Sequence, residues 1–459
     1  MTVISPTKTF RLFFRASESK DLRHRRLVGI IQGVVGGLGN KIVGMLVSLL
    51  SVPLTIHYLG PERYGAWVTL GSLLAWLNLT DFGLGNGFTN AVTTAAAQER
   101  PELVRTHVSN AVLLLSAIAL TTGIAAIIVW PYINWSSLLG VRSSTARSEI
   151  GYAAAAALAI FLLQFPLAIT GRIYLAYQEG RIAGYWGVAS NLLTLVAIII
   201  VTRTRGGLVW LVIAISGASL LVNLASTLWV FFYHRPFLAP KLKHIDFHSM
   251  GALSQIGSQF FLIQIMALVT FQTDNLVISH YLGAARVPEY SLTYNLFAYT
   301  SLPQAMLFSY LWAAYTEAIA RKDIAWVART FRLNLVIGLL FTGLTALILA
   351  TFVKPFIGWW ASHAVIPSSA LVAWMAAWSV INALTSPTAC LLAAASHLRA
   401  QIVYSGLATV SNIVLSLYLV QRWGVSGVIA ATVISYALWV CVPVYVDAEI
   451  LIKRLRHAV

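Results

Sequence analysis

Charge is scarce in this chain: 10% of its 459 residues are ionised, two are cysteine, and 58% are hydrophobic. So little polar surface cannot cover a soluble particle of this length, and a mean hydropathy of +0.78 makes lipid the solvent. Both cysteines, Cys390 and Cys441, fall inside apolar stretches. That excludes a disulfide framework and leaves them as small core residues. No apolar stretch alternates as the strands of an outer-membrane barrel do, which excludes that class. No loop exceeds about 20 residues, so there is no room for a soluble catalytic domain. Paired carboxylates, a His/Cys metal spacing and a glycine-rich phosphate loop are all missing, and the sequence calls for no enzyme chemistry, cofactor or metal.

What is present is helix. Twelve apolar stretches, near 34–57, 64–88, 107–133, 150–171, 181–202, 207–232, 253–280, 288–316, 330–353, 368–394, 401–420 and 425–447, suit a hydrocarbon core about 30 Å thick. The chain is also written twice. His57-Tyr58-Leu59-Gly60 recurs as His280-Tyr281-Leu282-Gly283. Pro166 answers to Pro387, Ser190-Asn191 to Ser411-Asn412, and Ile215-Ser216 to Ile434-Ser435, at separations of 219 to 223 residues. A period of half the protein decides the architecture. Six spans per copy is an even number, so the second copy enters the membrane from the same side as the first. The fold expected is an all-α integral membrane protein: twelve transmembrane helices in two parallel six-helix repeats facing a central cavity. Its parts are a basic arm (1–29), an N-lobe (30–233), a polar linker (234–252), a C-lobe (253–447) and a tail (448–459).

The arm is basic and then apolar, like a secretion signal, but Lys41 and a further apolar run follow in place of a small-residue cleavage site. It reads as a retained arm. Lys and Arg number 22 on the arm's side of the spans and 8 on the other, so both termini are expected in the cytoplasm of a multi-pass inner-membrane protein. The net charge of +16 invites a nucleic-acid partner, yet the basic residues sit at helix ends. Topology and attraction to anionic membrane lipids explain them.

Ionised side chains at membrane depth are costly and mark candidate sites. Lys41 lies near the start of the first span, in one sector with Gly37, Gly44, Ser48, Ser51 and Thr55. That stripe reads as a cavity wall or as a seam for close helix packing, and Lys41 reads as a cavity cation or as a snorkelling side chain. Asp274, nine residues before Gly283, is about 13 Å inside the membrane and shares a face with Gln255, Gln259 and Thr270. It either serves transport or ties helices together. Asp81 opens Asp81-Phe82-Gly83-Leu84-Gly85-Asn86-Gly87 near the inner interface, where three alternate glycines predict unwound or bent backbone. Arg172 sits at the inner end of the fourth span, where interfacial solvation also accounts for it. Pro166 and Pro387 stand at equivalent places and predict paired kinks. Trp374 and Trp378 offer either a stacking face for a sugar or ordinary core packing.

Tyr58-Leu59-Gly60-Pro61-Glu62-Arg63-Tyr64-Gly65, Asp81-Phe82-Gly83-Leu84-Gly85, and Asp274 followed by Tyr281-Leu282-Gly283 and Tyr290 resemble the polysaccharide transporter branch of the multidrug/oligosaccharidyl-lipid/polysaccharide exporter superfamily. The resemblance covers nearly the whole chain after residue 30. It implies a flippase that moves undecaprenyl-pyrophosphate-linked oligosaccharides across the bacterial inner membrane by alternating access, for O-antigen, capsule or exopolysaccharide, with polysaccharide polymerases as partners. In that setting Lys41, with Arg172, would attract pyrophosphate. Ser48, Ser51, Gln255, Gln259 and Asp274 would meet the sugars, and Asp81 or Asp274 would carry a coupling proton or sodium ion. A multidrug/cation antiporter of the same superfamily is the alternative and predicts a lipid-facing Lys41. A membrane-embedded enzyme of lipid-linked sugars is disfavoured by the short loops, and fourteen-helix flippases by the count of twelve spans.

Overall fold

The computed structural model describes residues 22–77, 84–97, 100–177, 179–204, 206–246, 265–266, 268–305, 308, 311, 315, 318–319, 322–361, 365–395 and 398–457. Among these residues the chain is helical, without a strand. The helices are α1 (Leu22–Leu77), α2 (Leu84–Ala97), α3 (Pro101–Val129), α4 (Ser144–Leu167), α5 (Ile169–Ala176), α6 (Gly180–Thr204) and α7 (Gly207–Trp229). They continue as α8 (268–282), α9 (Val287–Ala298), α10 (Ile324–Trp360), α11 (Ser369–Ala394), α12 (Leu398–Trp423), α13 (Val425–Tyr436) and α14 (Val442–His457). Nine segments among the described residues are long and apolar enough to cross a membrane. The first of them, Gly39–Leu77, covers two of the twelve stretches expected. The seventh and eighth stretches fall where only part of the chain is described.

Gly60 breaks α1 with φ 74° and ψ 166°, and Gly283 ends α8 with φ 94° and ψ 153°. Side chains other than hydrogen are strained there, which is the physical reason both copies of His-Tyr-Leu-Gly close on glycine. A second pair matches. The Glu62 carboxylate accepts the N–H groups of Arg142 at 2.5 Å and Ser143 at 3.0 Å, just ahead of α4. The Glu289 carboxylate accepts that of Ser368 at 3.2 Å, just ahead of α11. Each acid follows a proline and satisfies orphan donors at the start of the helix that carries Pro166 or Pro387.

The chain forms two compact units. The first comprises residues up to Leu54, Thr80–Tyr132 and Tyr152–Phe260. Its core joins α2, α3, α4 and α5 through Phe88, Val92, Val104, Val108, Phe165 and Ile173. Residues 235–246 are fastened to α3, where the Asn110 amide donates to Asp246 O at 2.8 Å and accepts from Asp246 N at 3.0 Å. Arg235 pairs with Glu179 at 2.6 Å. The second unit comprises Thr55–Leu79, Ile133–Gly151 and the chain from Phe261. Two glycines tie its separate segments together: a Cβ on Gly65 would stand 1.8 Å from Ala284 O, and one on Gly140 would stand 1.9 Å from Ser279 O. Its core joins α10, α11, α12 and α14 through Phe331, Cys390, Leu391, Ala408 and Val444.

Two local expectations change. Leu84, Gly85, Asn86 and Gly87 are helical, within an α2 that runs to Ala97. Helix therefore continues past residue 88, the expected end of the second stretch, to Ala97. The prolines also differ. α4 ends one residue after Pro166 and α5 resumes at Ile169, whereas α11 runs unbroken through Pro387. Proline leaves the carbonyl four residues earlier without its helical donor. For Pro387 that carbonyl is Ala383 O, and Gln304 Nε2 donates to it at 3.1 Å. Gly338 leaves the space, since a Cβ there would lie 1.9 Å from that nitrogen.

Candidate functional site

In the first unit, α1 presents Ile42, Leu46, Leu50 and Leu54 as an exposed apolar stripe, the expected lipid face. Lys41 is exposed too, but it lies roughly 100° to 180° around the helix from Ile42, Leu46 and Leu50. It shares its side with Val52 and Leu59, which are buried further along. Lys41 is therefore exposed, and lies off this apolar stripe. Ser48 and Ser51 are half-buried, and the Ser51 hydroxyl donates to Ser48 O at 3.3 Å, a bond within the helix. The small stripe packs in part as a seam: the Cβ position of Gly44 is 3.3 Å from the Asn191 side chain on α6. Arg172 on α5 is half-buried.

Beside this stripe the first unit holds a cavity of about 310 Å³. Its polar lining comes from Asn40 on α1, Thr170 and Tyr174 on α5, Ser190 and Asn191 on α6, and Asn223 and Ser226 on α7, with Trp186 as an aromatic wall. Asn191 Nδ2 donates to Asn40 Oδ1 at 3.0 Å. Tyr174 Oη lies 2.8 Å from Ser226 Oγ, and Thr170 Oγ1 lies 2.8 Å from Thr227 Oγ1. Gly187 is what admits Asn40, because a Cβ there would come within 2.5 Å of the Asn40 amide. Lys41 and Arg172 are the chain neighbours of the lining residues Asn40 and Gly171.

In the second unit Asp274 is 2% exposed, and the Tyr290 hydroxyl donates to its Oδ2. Tyr290 stacks on Tyr294, with ring centroids 6.0 Å apart. Along α8, Phe271 meets Trp378 and Tyr436, and Thr270 Oγ1 lies 3.0 Å from Thr409 Oγ1. Asn275 Nδ2 donates to Ser72 Oγ at 2.9 Å. The Thr273 hydroxyl and the Asn275 amide oxygen are buried without a partner among the described residues. Trp378 is 7% exposed and packs as core, while Trp374 is half-buried and stacks on the exposed Trp423. Gln255, Gln259 and Asp81 lie outside the described residues. No group of three or more His, Cys, Asp or Glu side chains that could hold a metal occurs among the described residues.

A family model described as polysaccharide biosynthesis protein matches residues 30–316, more than half of the chain. The chain belongs to the polysaccharide biosynthesis protein family. A Yersinia pseudotuberculosis protein named for O-antigen export is 25% identical over 300 residues, covering 62% of this chain and 64% of its own length. A Salmonella typhi protein named as an O-antigen transporter is 21% identical over 439 residues, covering 92% of this chain and 98% of its own. The fold is shared with an inward-facing multidrug resistance MATE family transporter of the MOP superfamily, at a TM-score of 0.77, 14% identity, 92% of this chain and 99% of that one. These matches agree with the polysaccharide transporter branch that the motifs resemble.

For this member of the polysaccharide biosynthesis protein family, sequence reasoning missed the asparagines. Asn40, Asn191 and Asn223 are uncharged, so a search for intramembrane ions passes over them. One signal was present: Asn191 belongs to a Ser-Asn pair that recurs at Ser411-Asn412.

Proposed function

We propose that this protein is a flippase that moves undecaprenyl-pyrophosphate-linked oligosaccharide units across the bacterial inner membrane. The names of its relatives support O-antigen as the destination of the sugar, with capsule or exopolysaccharide as other products of the same class. Twelve helices in two parallel six-helix lobes, 30–233 and 253–447, would work by alternating access around a central cavity, with both termini in the cytoplasm and a polymerase downstream. The orientation of Lys41 carries this reading. An exposed cation off the lipid stripe suits a pyrophosphate, whereas an exporter of organic cations has no use for it there.

Lys41, with Arg172 near the inner end of its span, would draw the pyrophosphate by charge. Asp274, buried and hydrogen-bonded by Tyr290, would carry a coupling proton or sodium ion rather than meet the sugar. The test is a bacterial strain in which deletion of this gene leaves lipid-linked oligosaccharide on the cytoplasmic leaflet. Restored export is expected with the wild type and with Lys41→Arg. Lys41→Ala, at equal membrane abundance, should export about 10- to 100-fold less, the scale of one charge-assisted bond. Full export with Lys41→Ala removes the anion-binding role.

A further inference from the structure

The repeat supplies an internal control for the cavity in the first unit. At the 221-residue offset that pairs Pro166 with Pro387 and Ser190-Asn191 with Ser411-Asn412, Thr170 corresponds to Leu391, Gly171 to Leu392 and Gly187 to Ala408. All three counterparts are 0% exposed and belong to the packed core of the second unit. The repeated asparagines diverge in the same way. Asn412 is 1% exposed and donates to Thr432 Oγ1 at 2.9 Å, while Asn191 lines an open cavity. One copy seals with leucine and alanine the place that the other keeps open and lines with amides and hydroxyls.

Keeping polar groups in a membrane interior costs free energy that an apolar fill would avoid. The second copy demonstrates that the fold accepts such a fill. The cavity is also built: Gly187 gives up its side chain so that Asn40 can enter, and Asn191 fixes the Asn40 amide from the far side. After that bond the Asn40 and Asn191 amides and the exposed Asn223 amide, all of them in the lining, retain donor and acceptor capacity.

We infer that this cavity is a binding site for an uncharged sugar unit, a neutral hexose or N-acetylhexosamine of the transported chain. The inference rests on the flippase reading and names the substrate class for one part of it. The lining contains no carboxylate, lysine, arginine or histidine, so neither an organic cation nor an anion would recover its lost hydration there. Amides and hydroxyls pair with vicinal hydroxyl groups in both directions, and the lining includes one tryptophan, Trp186, the residue type that packs on the C–H side of a pyranose. A volume of about 310 Å³ lies at the small end of ligand pockets, suited to one or two sugar rings. Lys41 and Arg172, next in the chain to two lining residues, would leave the phosphates near the mouth and the sugar within.

The test is saturation-transfer NMR on the full-length protein in lipid nanodiscs, with maltose and N,N′-diacetylchitobiose as neutral probes and glucuronate and glucosamine as charged ones. The neutral disaccharides should receive saturation and the charged sugars markedly less. Asn191→Leu and the more conservative Asn223→Ala should each weaken neutral binding by about tenfold, one hydrogen bond's worth. Charged sugars binding as well as neutral ones, or neutral binding unchanged in both variants, would overturn the inference. Flipping of lipid-linked oligosaccharide in proteoliposomes of the same preparations separates the two readings. Transport without neutral-sugar binding removes this site and leaves the flippase; binding without transport does the reverse.

Discussion

At the scale of single residues, the charged positions were legible because charge in lipid is rare, and the glycines were legible only as letters of a motif. Asp274 stood out in the sequence, and its burial against Tyr290 follows from a membrane interior that leaves a carboxylate no water. Gly65 and Gly140 could not be read as contact points, because what each must admit is a backbone carbonyl far away in the sequence. Gly65→Ala and Gly140→Ala should both fail badly, since a methyl group under 2 Å from Ala284 O or Ser279 O forces the backbone apart. Overpacking of this kind costs about 1–3 kcal/mol or more. The expected outcome is a sharp fall in folded protein recovered by fluorescence-detected size exclusion. Gly71→Ala, with open space around its Cβ position, should behave as wild type.

At the scale of helices, length and hydropathy made the all-helical, membrane-spanning character legible, with nine candidate spans among the described residues, and the sequence misjudged ends and bends. Those depend on partners. Alternate glycines in 83–87 suggested loosened backbone, yet Leu84–Ala97 is helical, as glycine costs only about 1 kcal/mol per position when neighbours pack. The two prolines look equivalent in sequence, but at Pro387 a side chain, Gln304, replaces the missing donor, and none does so at Pro166 among the described residues. Gln304→Leu should therefore destabilise by about 1–3 kcal/mol, the cost of a buried unsatisfied carbonyl. Adding Pro387→Ala should recover most of that loss, because alanine returns the helical N–H to Ala383 O. Thermal unfolding of the single and double variants measures the coupling, and strictly additive losses would contradict it. The acid caps make a parallel case. Glu62→Ala and Glu289→Ala should each lower stability by about 0.5–2 kcal/mol, as cap losses do, since Glu62 would lose two backbone N–H partners and Glu289 one together with its ion pair to Arg286.

At the scale of the molecule, duplication was the most legible feature and asymmetry the least. Four markers recur in the sequence, and at two of the recurring places the local geometry matches: glycine turns with positive φ at Gly60 and Gly283, and carboxylates at Glu62 and Glu289 that accept backbone N–H groups. Which copy would keep a polar cavity was not legible. It turns on Gly187 and Thr170 standing where Ala408 and Leu391 close the other half, a contrast of ordinary residues that acquires meaning only when their surroundings are known. The central claim is that this membrane protein carries a lipid-linked sugar. Its most direct test is a proteoliposome assay that follows, in one preparation, the flipping of fluorescent undecaprenyl-pyrophosphate oligosaccharide and the efflux of an organic cation. Rapid flipping of the lipid-linked sugar with no cation efflux is the result predicted. Cation efflux with no flipping would contradict the account.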